Sequence, residues 1–195
     1  RTLGGRGFGR QAGLEALGEI GFEENAARVG REAVELLSAP NCPSGRLGLV
    51  LQPDQMILQI HESIGHPIEN DRILGDERNY AGTSFVKLED FGKRRYGSDL
   101  LTVTFDPTVS DEFASYAFDD EGLPATRQYI IKDGILERGL GSVVSQGRSG
   151  VEGVANARAC SWNRPPIDRM ANLNLEPGEE SLEQLIAGVE DGVLM

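Results

Sequence analysis

Two histidines stand five residues apart in one short run, His61-Glu62-Ser63-Ile64-Gly65-His66, and they are the only histidines in the 195-residue chain. An α-helix turns by about 100° per residue, so positions i and i+5 lie roughly 140° apart around its axis. Two imidazoles placed in that way diverge. They converge if one turn widens to the π form, a distortion that occurs mostly as a single turn inside an α-helix and often at functional sites. Gly65 before His66 and Pro67 after it mark where a regular helix can distort or end. The spacing therefore predicts a helix that begins near Asp54, which can cap it, and ends within a few residues of His66. Its last turn should depart from i to i+4 bonding. The alternative is an ordinary helix carrying two unrelated surface histidines.

With a widened turn, this run supplies what a hydrolytic metal site takes from one helix. His61 and His66 are the candidate metal ligands. Glu62 is the candidate general base, one position from a ligand and able to take a proton from metal-bound water. The familiar pattern, H-E-x-x-H, has its histidines at i and i+4. Zinc is the expected metal, with iron as the alternative because imidazole suits several transition ions. Met56, Ile57, Ile60 and Ile64 form an apolar side expected to pin the helix in a core. The bland reading of Glu62 is a solvated helix glutamate.

Composition narrows the class of partner. The net charge of −12 argues against a phosphate-neutralising surface and against docking on anionic lipid. Twenty-five glycines favour turns, bulges and close backbone packing over an all-helical bundle. Cys42 and Cys160 are too few for a disulfide framework, which suits a reducing cytoplasm. No apolar run approaches the roughly 20 residues that span a bilayer. The opening RTLGGRGFGR has no signal-peptide core. It also lacks an initiator methionine, and the closing VEDGVLM stops in what reads as a helix, so both ends are expected to be the ends of a fragment.

Taken in order, residues 1–21 read as a loop rich in glycine and arginine. Phe22 to Ser38 has apolar residues at spacings of three and four, an amphipathic helix ended by Ala39-Pro40. A domain junction is placed near residue 42. Leu47 to Leu51 is a short buried strand. Residues 67–84, polar from Glu69 onward, read as loop with a few turns. Leu100 to Phe105 is a strand. Residues 126–132 and 135–140 flank Asp133-Gly134, a strong signal for a type I′ hairpin. Residues 141–157 read as loop with one helical turn at 142–146. Ser181 and Gln184 form a capping box that opens a helix.

Several candidates have two readings. Asp119, Asp120 and Glu121 form either a metal-binding loop or an Asp-rich turn, the commoner case. Arg158 and Arg169 either hold a substrate carboxylate or oxyanion or make structural ion pairs.

The stretch SAPNCPSGRLGLVLQPDQMILQIHESIGHPIEND, from Ser38 to Asp71, resembles the TldD/PmbA family of peptidases in its metal-binding TldD-type branch. Members carry H-E-x-x-x-H after a short strand. The resemblance continues through FDDEGLP from Phe118, the IIKDGIL hairpin, Asp168-Arg-Met-Ala-Asn172 and Pro177-Gly178, and covers the chain in order. It implies a cytoplasmic zinc metallopeptidase acting on short or unfolded peptides, a homodimer or a heterodimer with a paralogous subunit. It implies an α+β fold: residues 1–41 as the tail of an N-terminal α/β domain, and residues 42–195 as the first part of an antiparallel-sheet C-terminal domain carrying the metal-binding helix. The family's third zinc ligand is a cysteine near the end of that domain, a region the chain stops before. Cys160 lies elsewhere in the family pattern, and Cys42 reads as structural. Glu69, three residues past His66, could stand in for that third ligand in principle, but a loop glutamate is usually solvated, and that is the expectation here. A rival of a different class is a peptide-binding or assembly subunit without turnover. A gyrase-modulating role belongs to the family's naming history, and the charge of −12 gives it no support.

Overall fold

The computed structural model describes residues 11–110 and 112–195. The first ten residues of the expected N-terminal loop lie outside the described residues. The chain divides into two compact units, one of residues up to Ile57 together with Glu179–Met195, the other Leu58–Gly178.

In the first unit a short helix, Ala16–Glu19, interrupts what the sequence reads as loop. The amphipathic helix spans Phe22–Leu36 and is entered through Gly21 in the left-handed region. Strand β1 (Gly48–Val50) forms where an apolar run predicts it, but Leu49 is exposed rather than buried. The capping box at Ser181 and Gln184 opens a helix over Leu182–Ala187 as expected. The closing residues are not helical: Gly192–Leu194 is a strand, paired in parallel with β1, with Leu49 opposite Val193. A β-carbon on Gly192 would stand 2.6 Å from the carbonyl oxygen of Gly48, so this pairing relies on close backbone approach at a glycine.

The second unit is built on strands β2 (Val103–Phe105), β3 (Gln128–Lys132), β4 (Ile135–Leu136), β5 (Ala157–Arg158), β6 (Ile167–Asp168) and β7 (Leu173–Leu175). Four of these form an antiparallel sheet in the order β4-β3-β2-β7, and β5 pairs with β6. Val103 lies opposite both Ile131 and Leu175, and all three residues of β2 are buried, as a central strand requires. Mixed helix and antiparallel sheet make the fold α+β, as the sequence implies. Val103, Phe105, Ile130, Ile131, Leu136, Leu140 and Val154 form the core, joined by Ile64 and Ile68 from the histidine segment. The rest of that helix's apolar side is less buried than its pattern suggests, for Ile57 is 60% exposed.

The hairpin turn has φ of +48° at Asp133 and +78° at Gly134, the two positive values of a type I′ turn. Asp119 Oδ1 accepts the amides of Glu121 and Leu123, its Oδ2 accepts that of Ala157, and Asp120 accepts that of Ala159. These carboxylates are spent on backbone donors, so the acidic turn is structural. The expected loop at 141–157 holds a longer helix, Val143–Ser149. Residues 67–84 are also more ordered than their polarity suggests, with helices at Asn70–Leu74 and Arg78–Ala81.

Glu69, Asn70 and Asp71 there are buried, and Asp71 makes long-range bonds. Asp71 N–H donates to Asp168 Oδ2 at 3.0 Å and Asp168 N–H donates to Asp71 Oδ2 at 3.1 Å, a reciprocal clasp. Asp168 also accepts from Ser142 N–H and from the Ser145 hydroxyl. Burial first, then the carboxylates of Asp168 and Glu69, pushes the Asp71 carboxyl up to about 7.

Gly134 has no room for a methyl group, since its β-carbon would stand 2.4 Å from the Ser98 carbonyl oxygen, whereas the helical Gly147 has open space around it. Gly134→Ala should cost roughly 1–3 kcal/mol by denaturant unfolding, and Gly147→Ala should be neutral or stabilise by up to about 1 kcal/mol. The raised Asp71 means that the folded state keeps a proton that the unfolded chain releases near the ordinary value of 3.8. Stability from this group is therefore full below that value and lost as pH rises toward about 7. Urea midpoints measured across this window on the metal-free protein should fall with rising pH, and the fall should shrink in Asp71→Asn.

Candidate metal centre

The helix Pro53–Ile60 starts with proline at its first position and includes Asp54 in its first turn. It then widens into one π turn over His61–Gly65, followed by a tight 3-10 turn over His66–Ile68. The amide of His66 donates to the carbonyl of His61, five residues back, so the bond that defines the π turn joins the two histidines. The expected irregular last turn is present, and the regular-helix alternative is set aside.

Three side contacts fix the turn. Ile64 and Ile68 enter the core on one side. Pro67 has no N–H to give the Ser63 carbonyl, and the Tyr96 hydroxyl donates to that oxygen instead. Burial pushes the Tyr96 hydroxyl up to about 12, so it stays a donor. Gly65 is buried against Met170, whose sulfur would lie 1.9 Å from any β-carbon there.

With the turn so held, the imidazole rings meet edge to face with centres 4.5 Å apart. His61 Nε2 is 4.0 Å from a Glu62 carboxylate oxygen. One donor atom from each of His61, Glu62 and His66 lies within 4.8 Å of the others, the one such grouping of three or more ligating residues among the described residues. His61 and Glu62 are exposed and His66 is half-buried. Both imidazoles are held below their ordinary value of 6.5, first by desolvation, then by His66 in the case of His61 and by Arg72 in the case of His66. They are neutral at neutral pH, the form that binds a metal. Two neutral imidazoles and an adjacent carboxylate suit a borderline ion such as zinc. Cys42 and Cys160 are exposed and free, and neither belongs to the grouping.

Glu69 is not solvated. Its side chain is fully buried, with Oε2 2.9 Å from His66 Nδ1, 3.4 Å from Arg72 Nε and 3.8 Å from Arg169 Nη1. Burial pushes its carboxyl up to about 7, against the pull of Arg169 and Arg72. The i,i+3 spacing of Glu69 from His66 and of Arg72 from Glu69 is the sequence signal for this cluster. Arg169 also donates to the Asp168 carbonyl and pairs with Glu77, so it is structural. Arg158 donates to the Met170 carbonyl at 3.5 Å and its charge reaches His61. Beside Glu62 opens a cavity of about 400 Å³ lined by Glu62, Ser63, Phe85, Arg94, Arg95 and Tyr96.

The sequence profile of the PmbA/TldA metallopeptidase C-terminal domain matches residues 44–195. A metalloprotease of Methanocaldococcus jannaschii is 34% identical over 192 residues, 95% of this chain and 41% of that protein. A zinc metalloprotease TldD homologue of Saccharolobus solfataricus is 28% identical over 167 residues, 85% of this chain and 35% of that protein. Among solved structures, a Thermotoga maritima protein described as a candidate modulator of a DNA gyrase superposes with a TM-score of 0.69 at 25% identity, covering 88% of this chain and 37% of that one. The chain thus spans about two fifths of the length of the relatives it matches. No described helix is long and apolar enough to cross a membrane. With the profile covering most of its length and the relatives aligning along nearly all of it, the chain belongs to the PmbA/TldD metallopeptidase family.

Proposed function

We propose that this chain carries the helix-borne part of a zinc peptidase site that hydrolyses short or unfolded peptides, with His61 and His66 as ligands and Glu62 as general base. The observation that carries the reading is the π turn, which brings two imidazoles and a carboxylate together at a spacing that a regular helix would splay apart. Iron is the alternative metal.

A zinc ion held by the two imidazoles would polarise the scissile carbonyl and lower the pKa of a bound water toward neutral. The residues of the chain supply the rest. Glu62, exposed beside His61, accepts the water's proton and passes it to the departing amine nitrogen. Peptide-bond cleavage then balances, water adding OH to the carbonyl carbon and H to the amine. The cavity beside Glu62 offers the Phe85 and Tyr96 rings to an apolar residue of the substrate. Catalytic zinc takes a third protein donor. The family resemblance implies a cysteine, which we assign to the length of the relatives that this chain does not span. The two free cysteines suit a reducing, cytoplasmic setting, and the family's dimeric assembly, with itself or a paralogue, is part of the same proposal.

In the full-length protein, Glu62→Gln should keep the metal and lose at least a hundredfold in kcat, the range for removing a general base. His61→Ala and His66→Ala should lose both metal and turnover. Metal analysis alongside a peptide-cleavage assay checks all three, and full activity in Glu62→Gln would sink the assignment. Because both imidazoles are depressed from 6.5, protons should compete with metal only at pH values below that of free histidine. Equilibrium dialysis against zinc should show retention persisting below pH 6.5.

A further inference from the structure

We infer that Glu69 is a positioning residue: it keeps the proton of His66 on Nδ1, so that Nε2 presents its lone pair to the metal. The inference rests on the proposed metal site, and four observations support it.

The first is the contact itself. Glu69 Oε2 stands 2.9 Å from His66 Nδ1, closer than the Arg72 guanidinium at 3.4 Å. With the Arg72 and Arg169 guanidiniums at 3.4 and 3.8 Å from the same Oε2, the ionised form of Glu69 is the one this site is built around. A carboxylate at that nitrogen accepts an N–H, which fixes the neutral ring as the Nδ1–H tautomer. Secondly, Glu69 is outside the grouping of His61, Glu62 and His66, so it touches a ligand without joining the ligands.

The third observation is how firmly it is held. The Glu69 backbone lies bridged to Leu140, flanked by bonds from Leu140 N–H to the Ile68 carbonyl and from Asn70 N–H to the Leu140 carbonyl, each 2.8 Å. Arg72 and Arg169 face its carboxylate, and each is anchored elsewhere, Arg72 on the Ala81 carbonyl and Arg169 on the Asp168 carbonyl and Glu77.

The fourth is its cost. Oε1 is buried with no hydrogen-bond partner among the described residues. A buried acceptor left unmade costs stability, and a buried charged cluster is in general a poor stability device. Its geometry is explained by the imidazole it orients. Carboxylate–imidazole pairs of this kind fix ring orientation, raise ligand basicity and, when removed, weaken metal binding by roughly 10–100-fold.

The test uses the full-length protein, wild type and Glu69→Gln. On metal-free samples, ¹⁵N NMR of the imidazoles, assigned with His66→Gln, reads the tautomer directly. Wild-type His66 should be Nδ1–H, and Glu69→Gln should shift it toward Nε2–H. Zinc affinity by chelator competition should fall roughly 10–100-fold in Glu69→Gln while thermal unfolding shows the variant folded. An unchanged tautomer with zinc affinity within about twofold of wild type overturns the inference, and wild-type zinc binding and turnover would leave the peptidase reading standing. A shifted tautomer and weakened zinc in a protein without peptidase turnover would do the reverse. Should Glu69→Gln not fold, the wild-type tautomer decides alone, since Nε2–H in the metal-free protein overturns the inference.

Discussion

One hydrogen bond sets the geometry on which the site depends, the His66 amide to the His61 carbonyl. It closes a turn one residue wider than the α-helix around it and so brings an i,i+5 pair to one side. A π turn is not a local preference of these residues, and an isolated helix would revert to i to i+4 bonding. Here the reversion is blocked. Pro67 cannot supply the i+4 amide that Ser63 would need, Tyr96 already occupies that carbonyl, and Ile64 and Ile68 are locked into the core. The distortion is therefore a property of the tertiary fold as much as of the motif.

A second layer of order comes from buried charge. Glu69, Asp71 and Asp168 are acidic residues in a chain already far to the acid side, and all three are buried. They are tolerated because each is answered: Glu69 by His66 and two guanidiniums, Asp71 and Asp168 by each other's amides and by Ser142 and Ser145. The arrangement ties the segment after the histidines to β6, ninety-seven positions away along the chain. A directional network of this kind holds a side chain such as His66 in one orientation, which apolar packing alone does less sharply.

Local chemistry was readable where one or two residues decide the backbone. Asp133-Gly134 announced its turn, Ser181 and Gln184 announced their cap, and the histidine spacing with Gly65 and Pro67 announced the widened turn. The α+β class was implied by the family resemblance, while the glycine content spoke only against an all-helical bundle. Polarity misled from Glu69 onward, because a run of Glu, Asn, Asp and Arg looks solvated until its partners are known, and those partners include Arg169 and Asp168, far off in sequence. Gly192–Leu194 was misread for the same reason, since its strand exists only by pairing with residues near the start. Of the candidate site, the sequence showed the three groups that the widened turn brings together and took Glu69 for a solvated loop residue, and the structure showed its carboxylate buried against His66.

The parallel pairing of Gly48–Val50 with Gly192–Leu194 has a consequence for how the chain acquires its structure during synthesis. One unit is interrupted in sequence by the whole of the other. Leu58–Gly178, with its hairpin and meander, has all its residues before the last strand leaves the ribosome, and units generally fold as they emerge. The first strand can gain this partner only once residue 192 has emerged. Closing so long a loop is slow even when its entropic penalty grows only logarithmically. The histidine-bearing unit thus has its whole sequence available before the strand pair that brackets it in the chain can close.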